Sequence, residues 1–220
     1  MTLTFLEEEI LADIEERKSM MVTVKTMPYR YAFSDSDNKL FTNFSIAIIY
    51  AIWEGFVQTS FQTYIRELNK LNLGIDEICD EILVNNVENS FRQFHEYPSK
   101  IHKKIQFLSD LRVFFNTNPM YINPIVNTKS NVGLNVINDI LRKFNLQEIS
   151  EYPKPNYSLK SELDNFLLKY RNDVAHGNNA IIIKVEDIKR AIDVVELLMD
   201  EVFDRIKKGF INDKKHLKLS

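Results

Sequence analysis

The sequence predicts an all-α protein, and two observations carry that prediction. Only 5 glycines and 6 prolines interrupt its 220 residues. Apolar residues recur every three or four positions along most of the chain, whereas the strict alternation typical of strands is scarce. With a hydrophobic fraction of 45%, the chain can bury a sizeable core, so we predict a single helical domain over residues 1–220.

Two long helices are predicted in the first third of the chain. The first covers residues 4–24, where Ile10 and Ile14 belong to an apolar stripe beside an acidic face. The segment that follows, which contains Pro28, is expected to break this helix. The second covers residues 40–72 and is apolar on nearly all sides as far as Trp53. Such a helix is normally buried at the centre of a bundle or in an interface.

Residues 73–157 are less periodic and are predicted to contain additional helices. Patterns typical of helices cover residues 75–94, 99–116 and 131–144. Ser130 is expected to cap the last of these helices, because serine is a favoured residue just before a helix.

Two helices are predicted to close the chain. The first begins at Ser158 or Ser161, and Ser161 with Asp164 fits a loose capping-box pattern. The second carries an a/d repeat, which predicts that one face packs against another helix. That repeat consists of Val185, Ile188, Ile192, Val195, Met199, Val202 and Ile206. The lysine-rich residues 208–220 are expected to form a flexible tail, with a phosphate-attracting arm as the alternative.

Composition and charge argue against several classes of protein. A formal net charge of −3 disfavours a domain that coats nucleic acid through bulk charge, but it leaves local binding of one or two phosphates open. Cys79 is the single cysteine, so an internal disulfide is excluded and a reducing cytoplasm is the expected setting. The N-terminus is acidic where a secretory signal would be basic, so no such signal is predicted. No run of about 18 apolar residues occurs, so no membrane span is predicted.

The stretch YRNDVAHGNN places an Arg and a His near the end of the penultimate helix. At about 100° per residue, Arg171 and His176 lie roughly 140° apart on a straight helix, so they would not share a face. Gly177 predicts that the helix ends near Ala175, because glycine is common just after a helix C-terminus. The helix dipole would then favour protonated His176, and an Arg fork suits phosphate. The spacing alone also fits an ordinary helix end.

The motif RNDVAHG resembles the signature of the HEPN superfamily, an Arg followed after four to six residues by a His. Here four residues separate Arg171 from His176, and Asn172 fits the polar residue usual after the Arg. The stretch IIYAIWEGFVQ, residues 48–58, looks like the aromatic-acid-Gly-aromatic helix of a bacterial HEPN branch found in conflict and defence loci. Residues 131–146, NVGLNVINDILRKFNL, look like the short helix of that branch.

The resemblance implies a HEPN-like helical bundle, with residues 73–157 inserted between the WEGF helix and the Arg/His helix. It also implies a metal-independent endoribonuclease without a cofactor, which dimerises so that two Arg/His motifs form one composite cleft. The resemblance further implies that the protein is a toxin or defence effector, with an antitoxin or another defence-system protein as its partner. The alternative is a non-catalytic HEPN module that binds RNA, nucleotide or a partner protein.

The resemblance also assigns roles to the motif residues. Arg171 would hold the scissile phosphate, His176 would move protons, and Asn172 would orient the phosphate or the imidazole. Glu54 either lies near Arg171 and orients the guanidinium, or it forms a structural salt bridge or lies on an exposed face, since a charge in so apolar a helix needs a partner.

Four further residues are candidates for such a site or for a metal site. Asp173 is a helix-surface acid or a member of the cleft, and Tyr170 packs in the core or stacks on a base. His95 and His102 lack acid or cysteine partners at metal-ligand spacing, so no metal site is predicted.

Overall fold

The computed structural model describes residues 4–177 and 183–218, and within them the chain is a bundle of α-helices with no assigned strand. The all-α prediction is therefore confirmed. The helices are α1 (Phe5–Arg30), α2 (Asp35–Lys70), α3 (Asp80–Ser90), α4 (Ile101–Phe115), α5 (Leu134–Lys143), α6 (Lys169–Ala175) and α7 (Val185–Lys207). A π-helical segment, Ser161–Leu168, leads into α6, and another, Lys208–Asn212, extends α7.

The long helix α2 lies at the centre of the bundle, as its apolar sequence predicts. It packs against α1, α6 and α7, and Trp53, Phe56 and Phe61 on it are fully buried. Its mean hydropathy of 1.5 over 18 residues also satisfies the criterion for a membrane-crossing helix. The core helix of a globular protein passes the same test, so α2 is weak evidence for membrane insertion.

Each of the two long helices extends beyond its predicted range at one end. Helix α1 continues through Pro28 to Arg30, because a proline so close to the end disturbs only the last turn. Thr4 and Glu7 form a capping box at its start. Ser34 caps α2 by accepting the Asp37 N–H, so α2 begins five residues earlier than predicted.

The predicted additional helices between residues 73 and 157 are α3, α4 and α5. The first is shorter than predicted, since residues 75–94 form two short 3₁₀ turns around α3. Ser130 does not cap α5: Gly133 occupies that position. The Leu134 N–H instead donates to Asp164 Oδ1 at 2.9 Å, so a carboxylate from a distant helix caps α5. That residues 73–157 are an insertion in a HEPN bundle stays an interpretation.

The capping box predicted for Ser161 and Asp164 is not formed. Ser158 Oγ accepts the Ser161 N–H at 3.2 Å, and Asp164 turns toward α5 instead. The a/d face of α7 is buried as predicted at six of its seven positions, whereas Val185 in the first turn is 47% exposed.

The segment 208–218 differs from the flexible tail expected there, since it packs against the bundle. The His216 ring stacks on Phe210 with centroids 4.5 Å apart, and Phe210 in turn contacts the ring of Tyr64. The Cys79 N–H donates to the His216 carbonyl at 3.0 Å. Apolar and aromatic residues between the lysines therefore dock this segment, and the last two residues of the predicted tail lie outside the described range.

Candidate active site

The Arg/His motif ends a helix, as the sequence predicts. Helix α6 runs to Ala175, and the His176 N–H still donates to the Asn172 carbonyl at 2.9 Å. Gly177 follows with a φ of +70°, a left-handed conformation that glycine adopts without steric cost. The His176 side chain is therefore carried on the last turn, and it is exposed to solvent.

The Arg171 guanidinium is held by three hydrogen bonds. Its Nη1 donates to Asn172 Oδ1 at 2.7 Å and to Asn131 Oδ1 at 3.1 Å. Its Nη2 donates to the Ser130 carbonyl at 2.9 Å. The guanidinium also lies over the Tyr50 ring, with Cζ 4.4 Å from the centroid, which is a cation–π geometry. A planar fork with several donors is suited to such multiple fixing.

Glu54 lies beside Arg171, as both an orienting role and a structural salt bridge would require. Its Oε2 is 3.8 Å from Arg171 Nη2, and the two side chains are 19% and 23% exposed. The other oxygen, Oε1, accepts the Thr128 hydroxyl at 2.7 Å. The carboxylate thus has both an opposite charge and a hydrogen-bond donor, as an acid in an apolar helix requires.

The 128–132 loop, residues Thr128 to Val132, surrounds the guanidinium in an unusual backbone conformation. Lys129 and Ser130 have φ values of 52° and 55°, so two successive residues other than glycine are left-handed. Each such residue costs about 1–3 kcal/mol, and such strain often occurs at functional sites. Here it turns the Ser130 carbonyl and the Asn131 side chain toward Arg171.

Helix α2 anchors the end of the 128–132 loop. The Val132 N–H donates to the Tyr50 hydroxyl at 2.6 Å, and Trp53 Nε1 donates to the Val132 carbonyl at 2.9 Å. A methyl group added to the next residue, Gly133, would lie 2.5 Å from Asp164 Oδ1. Side chains of α2 and the Asp164 carboxylate therefore fix the carboxyl end of the loop.

The Tyr50 hydroxyl is neutral in this arrangement. Burial raises the pKa of its hydroxyl to about 12, and the nearby Glu54 carboxylate acts in the same direction. The Val132 N–H bond and the Arg171 charge oppose that shift. The hydroxyl is thus protonated across the physiological range while its oxygen accepts the backbone N–H.

The remaining predicted site residues occupy different places around α6. Asn172 lies next to Arg171 and contacts it through Oδ1, whereas Asp173 is half-buried. Tyr170 packs edge-on against Phe166 with centroids 5.0 Å apart, which fits the core interpretation. Within the described part of the chain, no side-chain hydrogen bond or ion pair joins His176 to Arg171. Within one chain, Arg171 is therefore bonded to other residues, whereas His176 is exposed to solvent.

Sequence reasoning missed four residues that contact Arg171 or Glu54: Tyr50, Thr128, Ser130 and Asn131. Tyr50 could have been found, because it stands four positions before Glu54 and so shares its face of α2. The other three belong to the 128–132 loop, about 40 residues from Arg171 in sequence, with no pattern that links them to it. Across residues 4–177 and 183–218 no group of three His, Cys, Asp or Glu could hold a metal ion.

An all-α bundle with an Arg fixed near the end of one helix and a His exposed at that end is the arrangement that the HEPN resemblance leads us to expect. The family profile described as RiboL-PSP-HEPN matches residues 8–208, almost the whole chain. The chain therefore belongs to this HEPN family. No curated protein and no solved structure matches the chain.

Proposed function

We propose that this protein is a metal-independent endoribonuclease of the HEPN type. The observation that carries the proposal is the Arg171 guanidinium, fixed by three hydrogen bonds five residues before an exposed His176. Family membership supports an RNase or a nucleotide-related module, and the Arg/His pair favours the first. A structural module would need neither a fixed cation nor an exposed imidazole at this position.

The proposed reaction uses the RNA substrate as its own nucleophile. A 2′-hydroxyl attacks the adjacent phosphate, the bond from phosphorus to the 5′ oxygen breaks, and a 2′,3′-cyclic phosphate and a 5′-hydroxyl form. His176 accepts the proton of the 2′-hydroxyl, and a second imidazole donates a proton to the departing 5′ oxygen. Protons and charges balance without a metal ion.

Arg171 supplies positive charge near the phosphate in this reaction. Because three of its N–H groups already donate to protein acceptors, a free two-pronged grip on phosphate is not the role we assign. The preorganised cation stabilises the charge that builds on the non-bridging oxygens, and Glu54 and Tyr50 keep it in place. Asn172 lies beside it and orients the phosphate.

A second copy of the chain completes the proposed site. One chain supplies a single His176, which is exposed, and within the described residues no hydrogen bond or ion pair joins it to Arg171. A two-fold axis that brings two motifs together supplies the second imidazole and pairs each His176 with the partner's Arg171. Such a homodimer also explains why an Arg and a His roughly 140° apart on one helix can serve one reaction.

The biological setting that fits this activity is that of a cytoplasmic toxin or defence effector. Cleavage of cellular RNA would be controlled by an antitoxin or another defence-system partner, as the resemblance of the motifs to conflict-locus proteins implies. The alternative is a non-catalytic HEPN module that binds RNA, nucleotide or a partner protein, for which the fold alone would suffice.

RNA cleavage in EDTA tests the activity. The parent protein is expected to cleave a labelled RNA to fragments with 2′,3′-cyclic phosphate ends, and Arg171→Ala and His176→Ala should each reduce the rate by 100-fold or more. A substrate with a 2′-deoxy sugar at the cleavage site should resist. The matched control is His95→Ala, an exposed histidine outside the site. Cleavage that persists in His176→Ala, or none in the parent protein, contradicts the proposal.

Mixing the parent protein with an inactive variant tests the composite site. If one cleft needs His176 of both protomers, a heterodimer of parent and His176→Ala chains is inactive, so after subunit exchange the activity falls below the fraction of parent protein in the mixture. If each chain works alone, the activity stays proportional to that fraction. Sedimentation velocity of the same samples should show a dimer, and a monomer at assay concentration would contradict the composite site.

RNA binding separates the enzyme from the non-catalytic alternative. The His176→Ala variant is expected to bind RNA but not to cleave it. Equal RNA binding by the parent protein and this variant, with cleavage by neither, would instead favour the binding module.

A further inference from the structure

Two asparagine side chains meet at one nitrogen of Arg171, one from α6 and one from the 128–132 loop. Asn172 Oδ1 and Asn131 Oδ1 both accept from Nη1, at 2.7 and 3.1 Å. A guanidinium carries donors only, so these contacts fix which end of each amide faces it. The oxygens face Arg171, and both NH₂ groups face away from it.

Those NH₂ groups lie at the edge of the site. In the described ranges, neither Asn131 nor Asn172 donates a side-chain hydrogen bond to a protein acceptor. Asn131 is exposed and Asn172 is half-buried. Both amides are also held in place, because their oxygens are fixed on a cation that itself makes a third bond to the Ser130 carbonyl.

The 128–132 loop is built to present Asn131 in this position. Two successive left-handed residues precede it, and the Val132 N–H and carbonyl that follow are bonded to Tyr50 and Trp53 of α2. The Asn131 side chain is therefore attached to a backbone that is fixed on the carboxyl side and sharply turned on the amino side.

We propose that Asn131 is a substrate-contacting residue, which donates from its amide nitrogen to a non-bridging oxygen of the RNA phosphate beside Arg171. The proposal rests on the ribonuclease function proposed above. Phosphate oxygens accept hydrogen bonds and never donate at neutral pH. Arg171 has most of its terminal N–H groups committed to protein acceptors, so donors aimed at the phosphate must come from its neighbours. Asn131 and Asn172 supply a matched pair of neutral donors around one fixed positive charge.

Two substitutions separate contact with substrate from positioning of Arg171. Asn131→Asp keeps an oxygen for Arg171 and removes the NH₂ donors, whereas Asn131→Ala removes both. If Asn131 contacts the phosphate, both variants should lose cleavage by 10-fold or more, with Asp at least as impaired as Ala. If Asn131 only positions Arg171, the Asp variant should cleave within threefold of the parent protein, and that result overturns the proposal.

The matched control is Asn127→Asp, which adds the same charge four residues earlier in the segment that connects α4 to α5. Asn127 Oδ1 accepts the Lys129 N–H, and an aspartate can keep that bond. Cleavage within threefold of the parent protein is expected. An equal loss in Asn127→Asp and Asn131→Asp would show a general charge effect and overturn the proposed contact.

Phosphorothioate substrates keep the test decisive if Asn131→Asp fails to fold. Sulfur in place of the contacted non-bridging oxygen weakens that hydrogen bond. The parent protein should therefore discriminate between the two phosphorothioate isomers more strongly than Asn131→Ala does, by at least fivefold. Equal discrimination overturns the proposal while leaving the ribonuclease function intact. A parent protein that cleaves no RNA overturns the proposed function and this inference with it.

The salt dependence provides a further check on the chemistry of the contact. A neutral amide releases no counterions when it binds phosphate, so RNA affinity of Asn131→Ala should fall by the same factor at low and high salt. A changed slope of affinity against salt concentration would mean that a charge had been lost from the interface, contrary to the proposal.

Discussion

The guanidinium of Arg171 lies over the ring of Tyr50, with Cζ 4.4 Å from the ring centroid. The Tyr50 hydroxyl at the other end of the same ring accepts the Val132 N–H at 2.6 Å. One side chain of α2 therefore fixes both the cation of the motif and the loop that surrounds it. Stability and the geometry of the candidate site are coupled through this tyrosine.

Tyr50→Phe separates the two roles of this side chain. The ring remains under Arg171, but the buried Val132 N–H loses its acceptor, which costs about 1–3 kcal/mol. Denaturant unfolding should show this loss in the free energy of unfolding. Tyr97→Phe, at a tyrosine that is 62% exposed, should change it by less than about 0.5 kcal/mol. Equal effects of the two substitutions would mean that the hydroxyl does not hold the loop.

The C-terminal segment predicts a loss of stability in mild acid. Burial, with a smaller effect of Lys214, lowers the pKa of His216 to about 4. The imidazole is then neutral in the folded state and protonates near its ordinary value when unfolded. Its contribution is fully present above about pH 6.5 and is lost as the pH falls from there to about 4, with an upper limit of about 3 kcal/mol.

His216→Phe should flatten that part of the pH profile, because the ring that stacks on Phe210 is retained but no longer titrates. Free energies of unfolding at pH 7, 6, 5 and 4 provide the measurement. His95→Phe, at an exposed histidine, should leave the slope of the parent protein unchanged. The same slope in the parent protein and in His216→Phe would contradict a buried neutral His216.

Gly133→Ala should destabilise the loop through a steric clash. The added methyl group would lie 2.5 Å from Asp164 Oδ1, so the carboxylate that caps α5 must move. Overpacking of this kind costs about 1–3 kcal/mol. Gly74→Ala is the matched control, since its methyl group meets neighbours only at 3.4 Å and both glycines have extended backbones before a helix. Thermal unfolding should show a drop in Tm for Gly133→Ala alone.

Arg171→Lys should impair cleavage although it keeps the charge. A lysine cannot reproduce the three-bond fork to Asn172, Asn131 and the Ser130 carbonyl, and a loss of 10-fold or more corresponds to about 1.4 kcal/mol or more. Amide exchange in the 128–132 loop should also become faster. Steady-state cleavage rates and hydrogen exchange are the two measurements.

Arg190→Lys is the matched control for that substitution. Arg190 also uses a fork, to both oxygens of Glu162, and also lies over an aromatic ring, that of Phe166 at 4.2 Å. It belongs to α7, outside the motif. Cleavage within twofold of the parent protein is expected for Arg190→Lys. A similar loss from both substitutions would point to general destabilisation rather than a specific role of Arg171.

Much of the fold could be predicted from the sequence because its determinants are local. Hydrophobic periodicity predicts α1, α2, α4 and α7, and the end of α6 follows from Gly177. Helix ends were less accurate: Pro28 is tolerated near the end of α1, and the cap of α5 comes from Asp164, 30 residues away. The lysines of the C-terminal segment suggested a flexible tail, whereas its aromatic residues determine that it packs.

In the candidate site, too, some features follow from the local sequence and others depend on the packing of distant segments. The sequence by itself determined that Arg171 and His176 stand at a helix end, since residue spacing and a glycine decide that locally. Only the tertiary structure decided what holds Arg171. Its partners come from α2 and from a loop about 40 residues away, and a π-helical segment before α6 alters the direction in which α6 side chains point. Contacts across such separations depend on how the helices pack, which no pattern within one segment encodes.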